Sequence, residues 1–290
     1  SMRAVAKKVA FRDERLSHST AGRWLKEDGI TLRTNRKRLA RKQSPERNAQ
    51  FLQVQALRER FHAAGQPVIS KDAKKRELIG QFKNQGKART AAAIDVNSHD
   101  FLTDAIGVAI PDAILDDCTG DADVVIGTGR NTPSFAAANV ALWWKKTGTT
   151  RYPEATDLLL LVDAGGANSC RSHQWKRSLH AVAIATGLRI TVAHYPTGAS
   201  KWNPVEHEVL GRISQHWAGV PLNSYKTIQT LIRTATTRRG MPIRVHMDRR
   251  TWSGKPKQTG TPWIVPHQHR PLWNYTLLPL PSPEAMIRLL

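Results

Sequence analysis

Apolar positions along the chain alternate between helical spacing and short continuous runs. "FLQVQALRERFHAAG", from residue 51, has the spacing of an amphipathic helix. "PVISKDAKKRELIGQF" reads as two strands, 67–72 and 76–82, joined by a charged turn. Further strands are expected at 105–110 ("AIGVAI") and 122–127 ("ADVVIG"). Thr132 and Pro133 open a helix reaching Lys146, with Phe135, Ala138 and Leu142 inward and Gly148 behind it. "DLLLLVD" is apolar on both faces and reads as a buried strand. Ser172 caps the next helix, with Trp175, Leu179 and Val182 inward and Gly187 at its end; "LRITVAH" then reads as an alternating strand. Asn203 and Pro204 start a last helix that carries Leu210, Ile213 and Trp217 on one face. This order predicts an α/β fold, a mixed sheet flanked by helices.

The N-terminal pattern is different. Residues 2–10 read as a short helix with Val5 and Val9 four apart. Ser17 or Ser19 caps a second, with Ala21, Trp24 and Leu25 inward and Gly29 ending it. Two short helices in a basic segment fit a helix-turn-helix presenting His18, Thr20 and Arg23 to DNA, although a helix pair without a ligand has the same pattern. "TNRKRLARKQSPERN" follows as a basic linker, its Arg36, Lys37 and Arg38 suited to phosphates or simply solvated. The expected organisation is a DNA-binding region and linker over 1–44, a main domain over 45–250 and a Pro-rich docking tail over 251–290.

Charge narrows the class of partner. The 290 residues carry 44 Lys and Arg against 23 Asp and Glu, a net of +21. The excess lies at the ends, +9 over residues 1–50 and +8 over 233–290. Such a balance favours a polyanion, above all nucleic acid. No apolar run approaches the ~20 residues of a membrane span, and "SMRAVAKKVAFRDER" has no signal-peptide core. The expectation is a soluble cytoplasmic protein at the nucleoid. Cys118 and Cys170 are too few and too far apart for a disulfide framework. Cys170, His173, His194 and His207 lack the paired spacing of a zinc site, and no Gly-rich phosphate loop points to ATP.

The acids carry the candidate chemistry. Glu206 lies four, seven and eleven residues before Leu210, Ile213 and Trp217, so it faces the core side, while Glu208 points to solvent. Glu206 fits a capping box, or a carboxylate held at the edge of the core for a metal. Asp163 emerges where the apolar strand stops, before Gly165 and Gly166; an ordinary turn Asp fits as well. Asp72 shares a strand face with Val68 and Ser70, or is an exposed acid at a hairpin turn, and Asp95, Asp100 and Asp104 are its rivals. Lys83, Asn84, Lys201, Trp202 and Asn203 are placed to touch DNA, Lys201 on phosphate and Trp202 on a base, or Trp202 anchors the core.

"PVISKDAKKRELIGQFKN", "LLLLVDAGGANSCRSHQWK" and "HYPTGASKWNPVEHEVLGRISQHWAGVPL" resemble the motif blocks of DDE transposases of bacterial insertion sequences, in particular the Rhodopirellula-type transposase family, distantly similar to mariner-like elements. The resemblance runs from "SHSTAGRWLKE" to "WNYT" and implies sequence upstream of Ser1. It implies an RNase H-like fold, with Asp72, Asp163 and Glu206 as catalytic residues and metal ligands. It also implies two Mg²⁺ ions, replaceable by Mn²⁺, and cleavage and strand transfer on double-stranded element ends and target DNA by a dimer or larger assembly. A DNA-binding relative without chemistry and a nuclease without strand transfer are the alternatives. Lys71 stands where the family pattern has an apolar residue, and a Lys in a central strand is costly unless it is paired.

Overall fold

The computed structural model describes residues 6, 16–31, 45–199, 202–253 and 261–280. The chain divides into two compact units, 1–43 and 44–290. In the first, α1 (His18–Glu27) is capped by Ser17, whose hydroxyl accepts from the Thr20 amide. Gly29 takes the left-handed turn that ends it. Ala21 is buried, but Trp24, expected inward, is 46 % exposed. The helix expected at 2–10 and the linker with Arg36, Lys37 and Arg38 lie outside the described residues, Ala6 excepted.

The described residues of the second unit form a nine-stranded sheet. Its strands are β1 (Val68–Ala73), β2 (Glu77–Ile79), β3 (Gly107–Asp116), β4 (Ala122–Gly127), β5 (Asp157–Asp163), β6 (Arg189–Tyr195), β7 (Ile243–Asp248), β8 (Ile264–Pro266) and β9 (Asn274–Leu277). The order is β7-β4-β3-β1-β5-β6-β9-β8. β1, β3 and β4 form an antiparallel meander, and β5 and β6 continue beside β1 in parallel. With helices between the parallel strands, this five-strand centre is RNase H-like.

The longer helices among the described residues of this unit are α2 (Pro45–Ala63), α3 (Pro133–Trp143), α4 (His173–Thr186), α5 (Gly211–His216) and α6 (Tyr225–Thr234). α3 and α4 cover one face, where Val140, Trp143, Trp175 and Leu179 pack on Ile69, Leu160 and Val162. On the other face, α2 lays Val54, Leu57 and Phe61 on Val68, Leu159 and Leu161. α5 and α6 cover Ala113, Leu115, Val124 and Ile126 on that same face. Among the described residues no helix is long and apolar enough to cross a membrane.

Several local readings change. β1 and β2 form no hairpin; each pairs with β3, at successive positions along it. α3 buries Phe135, Ala136, Asn139, Val140 and Trp143, while Ala138 and Leu142 are only half-buried. Its inward stripe begins at Phe135, as expected, and then runs one residue out of the expected phase. β6 is buried at every position from Ile190 to Tyr195, because it has helices over both faces. The stretch read as a docking tail supplies β8 and β9, with Tyr275 and Leu277 fully buried.

The loop after β2 is pinned to the end of α5. The Gly219 amide donates to the Gln85 carbonyl at 2.9 Å. A Cβ at Gly219 (φ +75°) would lie 2.5 Å from the Ala88 nitrogen and 2.6 Å from the Lys87 carbonyl carbon. Neither backbone can give way cheaply. Gly219→Ala is expected to cost on the order of 2–3 kcal/mol in urea unfolding. A loss below about 0.5 kcal/mol, the range of neutral surface changes, would show that the loop is not held there.

Candidate active site

β1 and β5 place two acids together. Their parallel register sets Lys71 beside Val162, so the next residues, Asp72 and Asp163, are level where the strands end. Alternation along the strands turns both acids toward the face covered by α2 and α5. Asp72 Oδ1 accepts from the Ala73 amide at 2.8 Å.

The third acid comes from the helix leading into α5. Pro204 is in the first turn, and Asn203 Oδ1 accepts from the Val205 amide at 3.4 Å. Glu206–Leu210 then form a π turn, closed by the Gly211 amide on the Glu206 carbonyl. π turns of this kind recur at functional sites. Val205, Val209, Leu210, Ile213 and Trp217 are buried against the sheet, which points Glu206 at the two aspartates. Glu208, expected in solvent, has its side chain only 17 % exposed and lies 4.0 Å from Arg239. The widened turn changes the phase on which the solvent-facing expectation rested.

The electrostatics show the three carboxyls as one group. Burial, the Asp163 charge and a hydrogen bond with Glu206 push Asp72 up to about 8. Burial also raises Asp163; the Asn203 hydrogen bond opposes that rise and Glu206 adds to it. Nearby lysines do not neutralise them: Lys71 points to the opposite face and Lys74 pairs with Glu77 at 2.7 Å. Among the described residues, no three Asp, Glu, His or Cys side chains close into a metal-binding group as they stand. The donor set nonetheless fits a hard divalent cation, with carboxylate oxygens on three elements and negative charge those lysines leave uncompensated.

Asp163 has two supports that sequence reasoning missed. Asn203, read as a DNA contact, is fully buried. Its amide donates to the Lys71 carbonyl at 3.1 Å and to Asp163 Oδ1 at 3.3 Å. It braces the site and offers no surface to DNA. His194 Nδ1 donates to the Asp163 carbonyl at 3.1 Å, and the Trp175 indole and Tyr275 hydroxyl continue the buried chain behind it. Burial pushes His194 down to about 4, so it is a neutral structural donor. The "LRITVAH" motif showed a histidine next to a strand end but not what it faced.

The other expected contacts are dispersed. His18 and Arg23 are exposed on α1, where Arg23 lies 3.8 Å from Glu27, and Thr20 is half-buried. Lys83 is exposed. Asn84 donates its amide to the Trp217 and Val220 carbonyls, holding the end of α5. Trp202 is 56 % exposed and meets Phe51 edge-on at 5.9 Å. Lys201 lies outside the described residues. Asp95, Asp100 and Asp104, the rivals to Asp72, are all exposed.

A mixed RNase H-like sheet with two aspartates at adjacent strand ends, and a glutamate from a packed helix beside them, presents a candidate DDE triad. Residues 1–279 match the Rhodopirellula transposase DDE domain, and the chain belongs to that family. No curated protein matches it by sequence. Among solved structures it is similar to a Mos1 transposase paired-end complex with left transposon end, at 9 % identity and a TM-score of 0.45, covering 79 % of this chain and 64 % of that one. It is also similar to the Mos1 mariner paired end complex with Mn (11 %, TM-score 0.44, 79 % and 68 %) and to the one with Mg (10 %, TM-score 0.47, 79 % and 64 %). The chain thus spans under two thirds of the length of the first of these.

Proposed function

We propose that this protein cuts DNA at the ends of a mobile element and joins the freed 3′-hydroxyl to target DNA. The observation that carries this reading is the convergence of Asp72, Asp163 and Glu206, from β1, β5 and the π turn, with no cation from Lys71 or Lys74 to balance them. The three would hold two Mg²⁺ or Mn²⁺ ions. Such ions supply charge neutralisation at the attacking and leaving oxygens of a phosphodiester. Asn203 and His194 fix Asp163 from its side chain and its backbone, which limits the geometry the acids must adopt.

Lys83 serves phosphates and the exposed Trp202 face serves an unpaired base, and Lys201, from its place in the sequence just before Trp202 and Asn203, serves phosphate as well. His18, Thr20 and Arg23 on α1, with Arg36, Lys37 and Arg38 in the linker, bind the duplex of the terminal repeats. The protein works as a dimer or larger assembly on DNA, at the nucleoid. The net charge of +21 supports the polyanion partner.

The test is Mn²⁺ binding by the full chain, followed by nicking of supercoiled DNA with the same samples. The expected result is metal binding and nicking, both lost in Glu206→Gln while DNA affinity stays. Joined DNA products separate strand transfer from simple nuclease action. Folded protein that binds DNA but neither binds Mn²⁺ nor nicks would overturn the catalytic reading and leave a DNA-binding relative.

A further inference from the structure

The β3–β4 turn, at the end of the sheet away from the three acids, gathers a second set of reactive side chains. Cys118 is exposed there. Its Sγ lies 3.2 Å from Nδ1 of His62. The other ring nitrogen, Nε2, lies 3.1 Å from Oδ2 of Asp117. Asp117 is rigidly held: its side chain is 2 % exposed, and Oδ2 accepts from Arg58 Nε and Nη2 at 2.9 and 2.6 Å. Its amide donates to the Val68 carbonyl at 2.9 Å, at the start of β1. Asp117 Oδ1 is buried and has no hydrogen-bond partner among the described residues.

The order of these groups fixes the protons. An ionised carboxylate only accepts, so Nε2 carries the hydrogen and Nδ1 of the neutral ring presents its lone pair to the thiol. His62 stands in the last turn of α2, with Nδ1 facing the thiol and Nε2 on the Asp117 carboxylate. The remaining neighbours do not compete for that role. Asp116 is engaged by the Cys118 amide, Tyr152 and Arg151. Burial, Cys118 and Asp116 all raise Tyr152, which keeps its hydroxyl neutral. Arg239 reaches the Asp117 carbonyl. A thiol, a base within hydrogen-bond reach and a carboxylate orienting that base are the arrangement that activates a nucleophilic cysteine.

We propose that Cys118 is a reactive thiol, activated by His62 and oriented through Asp117, that forms mixed disulfides with small disulfides. The thiol proton passes to His62 Nδ1 as Sγ attacks one sulfur of the disulfide. A bond forms between Sγ and that sulfur, and the original S–S bond breaks. The departing thiolate takes the proton from His62. The small disulfide is the oxidant, and it leaves half-transferred and half-reduced, so no other reagent is needed. This site is independent of the DNA chemistry.

The experiment follows the reaction of the full native chain with 5,5′-dithiobis(2-nitrobenzoate). Cys170→Ala removes the second thiol, which is buried. In that background one thiol is expected to react about tenfold faster than free cysteine at neutral pH. His62→Gln is expected to bring the rate down to that of free cysteine. Asp117→Asn is expected to slow the reaction too; should it unfold, His62→Gln still decides, because the His62 side chain is 36 % exposed. A Cys118 no faster than free cysteine, or a rate unchanged by His62→Gln, would overturn the proposal.

Discussion

Asp72→Asn is expected to abolish DNA cutting and, in metal-free buffer, to make the protein more stable. Both halves come from one geometry. The carboxyl of Asp72 sits beside Asp163 and Glu206, and its burial and their presence push it up to about 8. An unfolded Asp ionises near 3.9. Between those values the folded protein holds a proton that the unfolded chain has released, so wild-type stability falls as pH rises through that window. Asparagine does not titrate. It keeps an oxygen for the Ala73 amide and offers an N–H toward Glu206, so both local bonds survive. The variant's advantage should be absent below about pH 4, grow toward pH 8 and reach on the order of 5 kcal/mol. Denaturant unfolding with a chelator present, at several pH values, reads it directly. Activity should move the other way. Losing one ligand forfeits charge stabilisation of about 4 kcal/mol, roughly 10³-fold in rate. A variant that still cuts, or that is destabilised at pH 8 without metal, would remove Asp72 from the site.

Much of this was legible in the chain because burial writes a simple pattern. "DLLLLVD" can only be a strand covered on both sides, and an acid at its end must emerge at the edge of the core. Leu210, Ile213 and Trp217 gave the buried face of the helix that follows Glu206 correctly. Periodicity failed where backbone geometry departed from the regular repeat. The π turn at Glu206–Leu210 shifted Glu208 out of solvent, and no residue in "PVEHEVLG" announces an i→i+5 bond. It also failed where a partner is remote in sequence. Asn203 reads as an N-cap, which it is, but its bond to Asp163 spans 40 residues. β8 and β9 were hidden because "TPWIVPHQHRPLWNYTLLP" is broken by prolines; Pro266 falls in β8, at the sheet edge where proline is tolerated, and the others lie outside the two strands.

Lys71 is the clearest case of a remote partner, and it carries the second large expectation. Its side chain is 0 % exposed, yet its Nζ lies 2.7 Å from Oδ1 of Asp112, also 0 % exposed. Asp112 Oδ2 accepts from Asn139 at 2.5 Å, and Lys71 Nζ reaches Asn168 Oδ1 at 3.4 Å. Burial raises Asp112, against the pull of Lys71 and Asn139. The lysine next to Asp72 is thus joined to β3, to α3 and to the turn that follows Asp163. Asp112→Ala leaves a cation buried without its partner and should cost about 3–5 kcal/mol, a large share of the 5–15 that holds a domain together. Lys71→Met with Asp112→Leu removes both charges. It should return stability to within ~1 kcal/mol of wild type or above it, since apolar replacements of buried pairs are often neutral or stabilising. Denaturant midpoints for the single and double variants separate these cases. A single variant near wild type would mean that the pair is not buried as described. Nicking by the stable double variant then tests what the pair is for. Reduced cutting with restored stability would assign it to holding β1 in register on β3, so that Asp72 meets Asp163. Full cutting would show that apolar packing alone sets that register.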